Sequence, residues 1–145
     1  MHVRTRIRRS AMDLVRALPV VTTTGTVKDV GAAMARALNV PAVFAVYNGG
    51  KSKGRVVANR RRKLMDIDLS FVVVADDYFS EEDATDTALE VIDALIEALD
   101  GFTPDGASKP LDYERDDFVM TNGERVAYEV FFSTRAEILQ TERAT

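Results

Sequence analysis

Asp66 and Asp68 stand two residues apart, shortly after the bases Arg60, Arg61, Arg62 and Lys63. On a β-strand that spacing turns both carboxylates to one face. Two carboxylates beside a cationic patch have the means to hold a divalent metal and a phosphodiester. A small metal-dependent nuclease or a nucleic-acid-binding module would use them so. The plainer reading is a solvent-facing strand surface flanking Arg62 and Lys63. No third carboxylate lies at a recognisable ligand spacing, which favours the plainer reading.

Little else in the chain reacts. There is no cysteine and a single histidine, His2. Disulfide frameworks, thiolate metal sites and His-based triads are thereby excluded. The serines at 10, 52, 70, 80, 108 and 133 have no base to activate them. Lys51-Ser52-Lys53-Gly54-Arg55 lacks the phosphate-loop spacing and does not open a helix. Its bases are not interleaved with aromatics, so stacking on single strands is unsupported. These gaps point to a chain with no catalytic residues, no metal and no cofactor.

The elements that position these residues can be read from periodicity. Val3, Ile7, Ala11, Leu14 and Leu18 make a helical stripe over residues 2–18, stopped by Pro19. The arginines at 4, 6, 8 and 9 fall mostly off that stripe, as a solvated face would. Val20 to Thr24 is β-branched and predicts a short strand. A weak alanine-rich stripe over 28–38 predicts a short helix. Ala42 to Tyr47 is apolar on both faces, so it belongs in the middle of a sheet covered on both sides. The second cover could be a neighbouring subunit. Asn48-Gly49-Gly50 is expected to end that strand.

From Arg62 to Ala75 a second strand alternates, with Ile67, Leu69, Phe71 and Val73 on one face. Between these strands, residues 49–63 form a basic arm. A small domain that sends such a segment into solvent usually does so for a partner. Ser80 is expected to cap an amphipathic helix over 80–100, closed by Gly101. Two strands follow, 111–121 and 124–134, joined through Asn122-Gly123, whose composition suits a type I′ turn.

The order predicts an α+β fold. Its sheet is mixed and mostly antiparallel, with four or five strands. Two main helices pack on one face, and a long basic β-hairpin forms the arm. Residues 1–134 are expected as one domain, and 135–145 as a polar tail that frays.

Charge is segregated along the chain. The net charge is −4, yet Lys51 to Lys63 holds seven bases and no acid. Asp76 to Asp100 holds ten acids and no base. Two solvated faces would account for this. So would a basic arm of one subunit meeting the acidic helix of another, a head-to-tail contact of the kind that closes rings. Tyr113-Glu114-Arg115-Asp116-Asp117 is a dense charged strand start. It suits a guarded sheet edge or an ionic contact with another subunit. Alternation would place Tyr113, Arg115 and Asp117 on one face, with Glu114 and Asp116 on the other. No apolar run reaches the roughly 18 residues that span a bilayer, and no signal-peptide pattern is present. No membrane partner is expected.

The chain resembles the tail terminator proteins of long-tailed bacteriophages, similar to the lambdoid minor tail protein U and to related Mu-like tail or neck completion proteins. The resemblance rests on Asp13-Leu14-Val15-Arg16-Ala17-Leu18 closing the first helix and on Pro41-Ala42-Val43 leading to Val46-Tyr47. It continues through the polar arm, the long strand and the helix. It ends on Asp112-Tyr113-x-Arg115-Asp116-Asp117 and a last strand with Tyr128 to Phe132. The segment 22–40 and the tail after Thr134 depart from the pattern.

The resemblance implies a structural virion protein without enzymatic activity. It implies a hexameric ring on the head-proximal end of the tail tube, which stops tube growth and presents a surface for joining the head. The partners implied are further copies of the chain, the tail tube protein and a head–tail connector or neck protein, with DNA only passing through the lumen. Such a protein is in the host cytoplasm during assembly and in the virion afterwards. Lys51, Lys53, Arg55, Arg60, Arg61, Arg62, Lys63, Tyr113, Arg115, Asp116 and Asp117 are then the candidate interface residues.

Overall fold

The computed structural model describes residues 2–37, 39–56, 59–76 and 81–139, without the side chains of 55, 56, 59–61, 81 and 139. Among them are three helices and five strands. In chain order these are α1 (Val3–Arg16), β1 (Thr23–Thr26), α2 (Val30–Arg36), β2 (Ala42–Val56), β3 (Asn59–Asp76), α3 (Glu81–Leu99), β4 (Asp112–Thr121) and β5 (Arg125–Leu139). The strands form one sheet in the order β1-β2-β3-β5-β4. Only β1–β2 is parallel. The fold is α+β with a mixed, open sheet. No helix among the described residues is long and apolar enough to cross a membrane.

β3 is the central strand, and its alternation sorts the core into two clusters. Ile67, Leu69, Phe71, Val73 and Ala75 face a cluster built with Ile7, Ala11, Met12 and Val15 of α1 and with Ala84, Ala88, Val91, Ile92, Leu95 and Leu99 of α3. Val72 and Val74 face the other cluster, which holds Ala33 and Ala37 beside Ala42, Phe44 and Val46. Thus β2 is apolar on both sides, as its composition requires. The second cover comes at least in part from α2, a segment of the same chain. Asp29 starts α2 by accepting a hydrogen bond from the Ala32 N–H at 2.8 Å, an ordinary N-cap. The Ser80 cap expected for α3 lies outside the described residues.

Several boundaries differ from the expected ones for physical reasons. β1 lies at 23–26 rather than 20–24, where it can pair with 42–45 of β2. β2 does not end at Asn48-Gly49-Gly50. The ladder with β3 runs on through Gly49↔Asp68, Lys51↔Asp66 and Arg55↔Lys63, with register shifts after Tyr47 and after Ser52. Gly49 and Gly54 take φ of 119° and 111° at these shifts. The glycines therefore mark bulges in a continuing strand. Residues 49–56 and 59–63 of the arm are thus paired strand.

β5 likewise continues past Thr134 to Leu139, paired with 62–66 of β3. Ala136 is buried there, and its polar neighbours Arg135 and Glu137 are ion-paired across the strands. Residues 135–139 are therefore strand where a fraying tail was expected; residues 140–145 lie outside the description. The Asn122-Gly123 loop does join two strands, but only Gly123 has positive φ, at 88°. A type I′ turn needs two such residues. Instead the Asn122 side chain accepts from the N–H groups of Glu124 and Arg125.

Candidate assembly interface

On the α2 side of the sheet the apolar cluster stops at Val46 and Val72. Beyond it β2, β3 and β5 continue together as a polar extension. Ser70, fully buried, donates to Glu129. Past the exposed Asp68, Asp66 is gripped from both sides. Arg135 Nε donates to its Oδ1 at 2.9 Å, and Lys53 Nζ lies 3.2 Å from its Oδ2. Arg135, and after it Lys53, hold the Asp66 carboxyl below the usual carboxylate range. Arg62 reaches Glu137 at 3.1 Å. Lys51 and Lys53 are exposed and Lys63 is half-buried. The side chains of Arg55, Arg60 and Arg61 lie outside the described residues.

Of the Asp66–Asp68 pair, Asp66 is thus held by two cations and Asp68 is exposed. Asp66 and Asp68 line a shallow recess with Asp112, Glu114, Lys51 and Arg135, so cations are mixed among the acids. Among the described residues no group of three His, Cys, Asp or Glu is placed to hold a metal. What Asp66 does is tie the hairpin to β5. Asp66→Asn should loosen the extension and cost on the order of 0.5–1 kcal/mol after solvent screening. Its folded pKa lies below its unfolded value of about 3.9. The stabilisation is then fully present above that value and lost as pH falls through the folded one. Acid titration of unfolding should show the wild type's advantage over Asp66→Asn constant above the unfolded value and shrinking as pH falls below it.

β4 carries the second group. Its faces differ from simple alternation because Glu114 is an extra residue, with a register shift between Tyr113 and Arg115. One inserted residue turns everything after it over. Tyr113 and Asp116 consequently share a face, and the phenol donates to the Asp116 carboxylate. That bond, with burial and the acids around it, pushes the Tyr113 pKa up to about 12. Arg115 lies on the opposite face with Asp117, at 2.9 Å, and its guanidinium sits 4.0 Å over the Phe131 ring. Glu114 accepts from Ser133.

The candidate residues thus fall into two sets at different edges. Lys51 and Lys53 lie on β2 at one side, and Tyr113 to Asp117 lie on β4 at the other, with β3 and β5 between. The acids of α3, among them Glu82, Asp86, Glu90, Asp93 and Glu97, are exposed around Leu89, itself 44% exposed. The N-terminal arginines make exposed contacts on the α1 surface. Arg6 pairs with Asp105 at 3.0 Å, Arg8 donates to Thr26, and Arg4 lies 5.8 Å from the Tyr47 ring centroid.

Sequence reasoning missed Arg135 and Glu137, which alternate with Ala136 as a strand would, and Phe118, Val119 and Met120, which are exposed on β4.

A family model described as phage tail terminator protein matches residues 7–142. Among solved structures, the chain is similar to a chain of the virion of a native gene transfer agent (GTA) particle. The TM-score is 0.62 and the identity 14%, over 93% of this chain and 97% of that one. At that identity the likeness is one of fold. No curated protein matches the chain in sequence.

Proposed function

The chain belongs to the phage tail terminator family of structural tail proteins, and from that membership we propose that it forms a hexameric ring capping the head-proximal end of the tail tube. The ring stops tube polymerisation and offers the surface to which the head is joined. Its partners are further copies of the chain, the last ring of tube protein and a connector or neck protein, with DNA passing through the lumen. The protein acts in the host cytoplasm during assembly and remains in the virion.

One observation carries the ring reading. The run from Lys51 to Lys63, seven bases and no acid, lies on the β2–β3 hairpin, where Lys53 and Arg62 are paired with Asp66 and Glu137 and Lys51 is exposed, while α3 carries the exposed acids Glu82, Asp86, Glu90, Asp93 and Glu97 and no base. Complementary patches at different places on one chain favour a heterologous contact, and such a contact closes into a ring when its rotation allows. The basic hairpin supplies one side of that contact or reaches the tube. Native mass spectrometry at rising protein concentration and falling salt tests this. A hexamer that dissociates as salt is raised is the expected result. A monomer under every condition contradicts it.

A further inference from the structure

Among the described residues, the sheet has two edges that lack a partner strand over most of their length. At one, β1 covers β2 only at 42–45, and the Val27 N–H adds a bond to Ala45. Residues 47–56 of β2 therefore have a strand on one side only. At the other, Asp100 and Phe102 bond the start of β4, to Tyr113 and Leu111 respectively, and residues 114–120 lie beyond them. Such edges are templates for strand addition.

We propose that these two edges meet: residues 114–120 of one subunit add antiparallel to residues 47–56 of the next. The proposal rests on the ring reading above and names its seam. Three features on the two strands select this pairing. The first is polarity along the strand. β4 runs from charged Glu114-Arg115-Asp116-Asp117 to exposed apolar Phe118-Val119-Met120, while β2 runs from Tyr47, 39% exposed, to basic Lys51 and Lys53. Only the antiparallel direction sets acid against base and apolar against apolar; the parallel one inverts both matches.

The second feature is the face. Phe118 packs edge-on against Tyr128 at 5.6 Å, and Tyr128 packs on the cluster of α1 and α3. Tyr47 pairs with Leu69 of that same cluster. Lys51 pairs with Asp66 and Glu114 bonds Ser133, both on the opposite face. A continuous sheet keeps faces across the seam, so Phe118 meets Tyr47 and, counted past the inserted Asn48, Lys51 faces the Glu114–Arg115 bulge.

The third feature is the stagger. Within one subunit Phe118 is level with Val43, through Tyr128 and Val73. Setting it against Tyr47 of the next copy shifts the strands by four positions, roughly 14 Å, for each repeat of four strands, roughly 19 Å. The strands then tilt by about 36°, inside the 35–45° range typical of sheets that close on themselves.

Cysteine cross-linking tests the seam, and the chain has no cysteine of its own. Within one subunit positions 47 and 118 are three strands apart, roughly 14 Å even before the offset, which is beyond disulfide reach. Tyr47→Cys and Phe118→Cys chains, mixed and oxidised, should give a disulfide-linked dimer that neither gives alone. As a second readout, Lys51→Glu or Glu114→Lys should each weaken association by roughly tenfold, and the chain carrying both should recover it. Rings that form without the mixed dimer and without charge-swap recovery overturn the seam and leave the ring. A Phe118→Cys chain that links to tube protein instead of its own kind overturns the seam in favour of the tube. Monomers throughout overturn both.

Discussion

Replacing Arg60, Arg61 and Arg62 together by glutamate should weaken subunit or tube association by at least about a hundredfold at low salt, since like-charge juxtaposition across an interface costs several kcal/mol and each 1.4 kcal/mol is tenfold. Sedimentation across a dilution series reads this directly. The monomer should keep its unfolding midpoint within a few degrees. Among the described side chains the fold loses the exposed Arg62–Glu137 pair, at 3.1 Å, and exposed pairs contribute about 0–1 kcal/mol. High salt should shrink the difference between variant and wild type. A variant that unfolds instead would place these bases in the service of the fold, and the case for an assembly role of the hairpin would fall.

Phe132→Ala should have the largest effect on stability, about 3–5 kcal/mol. Phe132 is 1% exposed, and its ring meets Phe71 at 5.7 Å and Tyr113 at 5.9 Å, both edge-on. Its strand lies between β3 and β4, so the cavity would loosen the attachment of the edge strand as well as the core. For a domain of this size the midpoint should fall by roughly 10–15 °C in thermal unfolding followed by circular dichroism. A fall of only one or two degrees would mean that the neighbours close over the gap, and that the aromatic cluster does not hold β4 in place.

The contrast between these two variants follows what could be read from the residues alone. α3 was legible because its apolar spacing is long and unbroken. The centres of β2 and β3 were legible because Ala42 to Val46 and Phe71 to Ala75 are apolar in runs. The hairpin ladder was not, since Gly49 and Gly54 look the same in a sequence whether they end a strand or bulge it. The end of β5 was hidden because Arg135 and Glu137 read as polar tail until Asp66 and Arg62 are found opposite them. A single inserted residue, Glu114, reversed the facing of Arg115, Asp116 and Asp117, and no local pattern announces a bulge. The charged residues of the candidate interface were therefore visible as types. Their division between two edges depends on strand order, which only the paired sheet reveals.

Tail-tube growth in the presence of the purified chain tests the capping role most directly. Tube protein polymerising alone should extend without limit. With the chain added, tubes should stop growing, carry one hexameric ring at a single end in electron micrographs, and resist further addition at that end. Tubes that grow unchanged, with no ring at either end at any salt concentration, would contradict the account.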